Sequence, residues 1–181
     1  MSRLRIYAEQ DGRAVILESS DQATITRELD RRGVRFERWL PRARVSPGAS
    51  PDSVLAAFRP DIDRLMRAHG YQSVDVVSMH PEHPDKQTLR QKFLEEHTHA
   101  EDEVRFFVAG SGLFSLHIDH QVCEVRCESG DLINVPQHTR HWFDMGPNPS
   151  FVAIRLFTNP DGWVARFTGD PIAQRFPRLD R

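Results

Sequence analysis

The chain of 181 residues has only two cysteines, no apolar run long enough to cross a membrane, and no excess of either charge. The formal net charge is -2, with 24 Lys and Arg interspersed among 26 Asp and Glu. The basic stripe that a phosphate backbone requires is therefore missing, and no nucleic-acid partner is expected. Arg3, Arg5, Glu9 and Asp11 interrupt the stretch from Met1 to Gly12, so it is not expected to act as a signal peptide or anchor, and no membrane partner is expected. Cys123 and Cys127 lie in a segment that reads as extended, where four strand residues separate their Cα atoms by about 13 Å, beyond the roughly 7 Å limit for a bridge. A helical segment would permit one. The extended reading makes this a reduced, cytoplasmic protein whose thiols serve as small apolar residues. What is present, 39% hydrophobic and 28% charged positions, suits a single globular domain with one sizeable core.

Arg3 to Tyr7 alternates apolar and charged residues, and Ala14 to Leu17 follows a turn at Asp11-Gly12, so both read as short strands. Ser20-Asp21 caps a helix that runs to about Arg32 and stops at Gly33. A Pro-rich loop follows Val34 to Leu40, and a second helix opens at Ser50 to Asp52, is interrupted at Pro60 and closes at Gly70. Val74 to Met79 reads as a strand and Lys86 to Phe93 as a short helix. From Thr98 the texture changes to strands at Val104 to Val108, Gly112 to Ile118, Gln121 to Cys127, Asp131 to Val135 and Val152 to Thr158, separated by brief turns. That rhythm predicts a sandwich or barrel.

His97-Thr-His99 puts two imidazoles on one side of an extended backbone. Glu103 follows after a polar turn that returns a carboxylate to the same side, and alternation then points Arg105 and Phe107 inward. Much later, a strand and a Pro136-terminated turn bring His141 to where the far side of a barrel would meet the first pair. Three imidazoles and one carboxylate make an octahedral partial shell with two adjacent positions left over. That set suits Fe(II), Mn(II), Ni(II) or Co(II) better than a closed structural zinc site. Of the usual fates of a histidine, on the surface or hydrogen-bonded in a core, solvated rather than coordinating is the expectation for His69, His80, His83, His117 and His120, while His138 lies nearer the site.

These residues resemble the two motifs of the cupin superfamily. The first is His97-x-His99-x-x-x-Glu103, six residues and Gly110; the second is Gly130, five residues, Pro136 and, five positions on, His141. Gln91, His138 and Met145 stand where the motifs have Gly, Gly and Asn. A narrower resemblance runs nearly the whole length. The segments Lys92–Phe107 (KFLEEHTHAEDEVRFF), Val34–Trp39 (VRFERW), Gly70–Val77 (GYQSVDVV), Val135–Met145 (VPQHTRHWFDM) and Asn159–Trp163 (NPDGW) are similar to the acireductone dioxygenases of methionine salvage.

The resemblance implies an all-β core with flanking helices, a cupin jelly-roll β-barrel in one domain. Residues 1–93 would pack outside the barrel, 94–160 would form its metal-binding core, and 161–181 a C-terminal tail. It implies one Fe(II) or Ni(II) per chain on His97, His99, Glu103 and His141, and an acireductone and O2 as the small-molecule partners. Arg105 would neutralise the bound enediolate, with an ion pair to Glu or Asp as its structural alternative. Asp102 would steady an imidazole or Arg105, and Phe93, Phe143 and Trp163 would wall the thioether tail. Monomer is the implied state. The same four ligands would also serve another cupin enzyme, such as a sugar isomerase or oxidative decarboxylase, or a non-catalytic cupin that binds a small ligand.

Overall fold

The computed structural model describes residues 1–159 and 164–180. Local signals start its helices. Asp21 caps α1 (Gln22–Asp30) by accepting from the Thr24 amide at 2.9 Å, and Ser50 caps α2 (Pro51–Ala57) by accepting from Ser53 N at 3.3 Å. The second expected helix is two: α2 ends at Phe58, and α3 (Arg59–His69) begins with Pro60 in its first turn, where a missing N–H costs nothing. A shorter helix, α4 (Lys86–Leu94), precedes the first histidines.

The strands are β1 (Arg3–Ala8), β2 (Asp11–Ser19), β3 (Arg35–Arg38), β4 (Ser73–Met79), β5 (His97–Thr98), β6 (Glu103–Ile118), β7 (Gln121–Glu128), β8 (Asp131–Val135), β9 (Arg140–Asp144), β10 (Phe151–Phe157) and β11 (Arg166–Phe167). They pair antiparallel in two runs, β11-β5-β9-β6-β7-β1-β2 and β4-β10-β6-β8-β3. The expected all-β core with flanking helices is present, and strands from the first 93 residues extend both runs.

β6 belongs to both. Its first half pairs with β8 and β10, its second with β7 and β9. The sequence predicts two strands separated at Gly110; the chain instead makes one strand bent there. Gly110 has φ +68°, and a Cβ on it would lie 1.8 Å from the Ser150 carbonyl oxygen, so only glycine allows the corner.

Alternation along β6 divides the apolar residues between two cores. Phe107 faces inward with Leu4, Ile6, Phe36, Phe114, Val125, Ile133, Phe143 and Phe151. Val104, Phe106 and Val108 face the other way, onto Val54 and Phe58 of the α2 joint and Ile62 and Leu65 of α3. Each fully buried side chain of that kind contributes about 1.5–3 kcal/mol, so Phe58→Ala is expected to cost about 3–5 kcal/mol. A third cluster covers the outside of the other sheet, where Ile172, Ala173 and Phe176, from the 3-10 helix Pro171–Arg175 and the residue after it, pack on Tyr7, Val122 and Trp142.

Cys123 and Cys127 are free and buried on β7, and burial pushes the Cys123 thiol up to about 11, which leaves it inert. Among the described residues no helix is long and apolar enough to cross a membrane.

Candidate metal centre

The inner ends of β5, β6 and β9 build the site. His97 pairs directly with His141 across β5 and β9, and Leu116 of β6 flanks His141 on the other side. His99 lies two residues beyond His97, and the turn 100–102 delivers Glu103 as the first residue of β6. The four residues are 1–6% exposed. Each offers one ligand atom, and these atoms all lie within 4.8 Å of one another. Glu103 Oε2 is 2.8 Å from His141 Nε2 and 3.1 Å from His99 Nε2.

The second ring nitrogens decide what the group can do. The Nδ1 atoms of His97, His99 and His141 face the carbonyl oxygens of Glu95 (2.7 Å), Val164 (3.2 Å) and Thr139 (2.8 Å). A carbonyl only accepts, so each Nδ1 carries the proton and each Nε2 turns a lone pair inward. Burial and the neighbouring His141 press the His97 pKa down to about 4, which keeps that lone pair available at neutral pH. Burial pushes Glu103 up, but the adjacent Arg105 guanidinium leads the contributions that outweigh it and hold the carboxylate well below its usual range. Three inward lone pairs and an anion at this spacing are what a divalent cation fits, and the outward Nδ1–H···O=C bonds are the partners that metal-bound imidazoles need.

Arg105 Nε lies 2.7 Å from Glu103 Oε1, on the side of the carboxylate away from the imidazoles' contacts with Oε2. Its guanidinium carbon is 4.6, 5.1 and 5.8 Å from the ring centres of Phe143, Phe114 and Phe93. Burial pulls the Arg105 pKa down and Glu103 partly restores it, so the cation sits in an aromatic box with its counter-ion as a neighbour. Phe93 and Phe143 are therefore together beside the ligands, with ring centres 6.2 Å apart. Phe114 was not singled out from the sequence, nor was Gly112, at which a Cβ would lie 2.4 Å from Phe143 Cζ.

Asp102 is placed differently from Arg105. Its oxygens accept from Asn134 Nδ2 (3.3 Å) and Gln137 N (3.0 Å), which fastens the loop leading to β9; His138 N, in that loop, bonds to the His99 carbonyl (2.8 Å). His138, which stands where the second motif has Gly, has φ +63°, a left-handed backbone that here carries a β-carbon. Trp163 lies outside the described residues.

One expectation about the remaining histidines is corrected. His117 is not solvated: it is 5% exposed and lies between Glu96 Oε1 (2.7 Å from Nδ1) and Glu9 Oε2 (2.9 Å from Nε2). The Glu96 hydrogen bond outweighs burial and raises its pKa. Position next to the turn misled the reading, because the strand pairs on both sides and the first hairpin covers it. His69, His120 and His138 are exposed, and His80 and His83 are half-buried.

A model of the ARD/ARD' family matches residues 3–165. The chain is 58% identical to the acireductone dioxygenase of Stenotrophomonas maltophilia (strain K279a) over 98% of its own length and 96% of that protein's. It is 57% identical to the acireductone dioxygenase of Xanthomonas campestris pv. campestris (strain B100), over 98% and 95%. Among solved structures, an acireductone dioxygenase from Bacillus anthracis with a cadmium ion in its active centre superposes with a TM-score of 0.80 at 30% identity, covering 92% of this chain and 98% of that one. Nearly complete coverage in sequence and in fold, around a buried three-histidine, one-glutamate cluster, establishes that the chain belongs to the ARD/ARD' family.

Proposed function

We propose that this protein is an acireductone dioxygenase of methionine salvage, a monomeric cytoplasmic cupin of one domain that holds one Fe(II) or Ni(II) on His97, His99, Glu103 and His141. The observation that carries this reading is the inward set of three Nε2 lone pairs and one carboxylate, with a buried guanidinium two residues past that carboxylate. The substrate is 1,2-dihydroxy-3-keto-5-methylthiopentene, an electron-rich enediol. A metal held by these four residues would supply a template and a Lewis acid for the substrate.

The chain's own residues do the rest. Arg105 lies close enough to the ligand set to receive a deprotonated enediol oxygen in a charge-assisted hydrogen bond, which favours the anionic substrate that O2 oxidises. Glu103 keeps Arg105 oriented by its ion pair, and because that pair uses Oε1, Oε2 faces the imidazoles. Phe93, Phe143 and Phe114 wall the guanidinium, offer apolar surface to the methylthio tail and exclude water from the anion. Asp102 acts through the backbone of the loop it fastens, holding His138 against His99 and keeping the approach to His141 in place.

Cleavage with O2 yields formate and the 2-keto acid precursor of methionine in the Fe form, or CO, formate and 3-methylthiopropionate in the Ni form. The two product sets contain the same atoms, so the choice lies in which carbon–carbon bonds break. Separate reconstitution with Fe(II) and Ni(II), followed by O2 consumption and product analysis on freshly generated acireductone, tests the reading. Absence of O2 uptake with both metals would overturn it.

A further inference from the structure

A second set of polar contacts lies one residue away from the ligands, on the opposite side of the same strands. Glu96 directly precedes His97 and is 2% exposed. Its Oε1 is 2.7 Å from His117 Nδ1, and its Oε2 accepts from the Thr168 hydroxyl at 2.6 Å. The Thr168 amide donates to the Glu96 carbonyl at 3.0 Å, and His117 is held from its other nitrogen by Glu9. Glu96 thus has its direction fixed from the barrel side and presents its remaining oxygen to the C-terminal segment.

That segment touches the ligands at two points. Val164 supplies the carbonyl that takes the His99 Nδ1 proton, and the Phe167 ring centre lies 5.8 Å from that of His97. Yet β11 is short, with two residues paired to β5 (Arg166 to Thr98, Phe167 to His97), and Arg166, Phe167 and Thr168 are all exposed. Little burial holds it down, so a charge-assisted hydrogen bond to a buried carboxylate is a large share of what does.

We propose that Glu96 and Thr168 form a latch that seats residues 164–168 on β5, making them positioning residues that orient His99 and His97 toward the metal through the Val164 carbonyl and the Phe167 ring. The inference rests on the reading of the four residues as a metal centre. Loss of the latch frees the His99 ring to rotate or change tautomer, and removal of such an outer partner typically costs about 10- to 100-fold in metal affinity.

Thr168→Val and Thr168→Ser in the full chain test it, because position 168 is exposed and valine keeps the shape while deleting the hydroxyl. Ni(II) alone is the probe, titrated against a chelator, with amide hydrogen exchange of residues 164–168 followed in parallel. Thr168→Val is expected to speed exchange in the segment and weaken Ni(II) binding by about 10- to 100-fold, and Thr168→Ser to restore both. Either change without the other overturns the latch, as does a serine variant that behaves like valine. A wild-type chain that takes no Ni(II) would instead overturn the metal-centre reading, which keeps the two failures apart.

Discussion

Two clusters of histidine and glutamate lie back to back about β6 and the start of β5, and they differ in what their nitrogens face. Inside, His97, His99 and His141 spend Nδ1 on backbone carbonyls and turn Nε2 toward one another and toward Glu103. Outside, His117 directs both nitrogens at carboxylates, Glu96 and Glu9, and the cluster satisfies itself. Residue type does not separate a metal centre from an ion-pair network; the partner of the second ring nitrogen does.

Removing a nitrogen from each cluster breaks the comparison most sharply. His141→Ala deletes one of four ligands, so turnover is expected to fall by more than the roughly 100-fold that loss of an outer partner costs, with the bound metal falling in parallel by elemental analysis. His117→Gln is expected to retain close to one metal per chain at saturating Ni(II). Equal metal loss in the two variants would erase the distinction.

The clusters should also respond to pH with opposite sign. His97 is held near 4 in the fold against about 6.5 when unfolded, so in the metal-free chain its contribution is complete above about 6.5 and lost as pH falls toward 4, in total about 3 kcal/mol. His117 has a raised pKa, so its contribution is complete below about 6.5 and lost as pH rises through its native value. Urea midpoints across pH for wild type, His97→Gln and His117→Gln would show the loss between about 6.5 and 4 shrink in the first variant and the loss above about 6.5 shrink in the second.

A smaller change sharpens the inner site. Arg105→Lys keeps the charge but gives up the planar fork among the three phenylalanines, and is expected to cost about 1.5 kcal/mol in kcat/KM, roughly tenfold, with metal content unchanged. Smallest is His138→Gly, which relieves a left-handed β-carbon next to the His99 carbonyl and is expected to raise stability by up to about 1 kcal/mol, read as a shift in Tm.

The four inner residues and the inward direction of Arg105 were legible because a period of two fixes which side chains share a face, and because the spacing to Gly110 and from Pro136 locates the turns. The outer network was not. His117 and Glu9 are 108 residues apart, and nothing in either neighbourhood announces their pairing. Phe114 reads as plain core because the bend at Gly110, which returns it to Arg105, looks in sequence like the end of a strand. β9 and β11 were missed as strands for a similar reason: Arg140–Asp144 mixes charge with aromatics, and two residues carry no periodicity.

Gly112 carries a consequence for the chamber that holds Arg105. The Phe143 ring tip rests where a methyl group on residue 112 would be, so the breadth of that chamber is governed from behind its wall by a hydrogen atom. Enlarging this residue would shift the ring without adding a charge or removing a ligand, so if Phe143 walls the methylthio tail as proposed, position 112 is a place to retune the size of tail admitted.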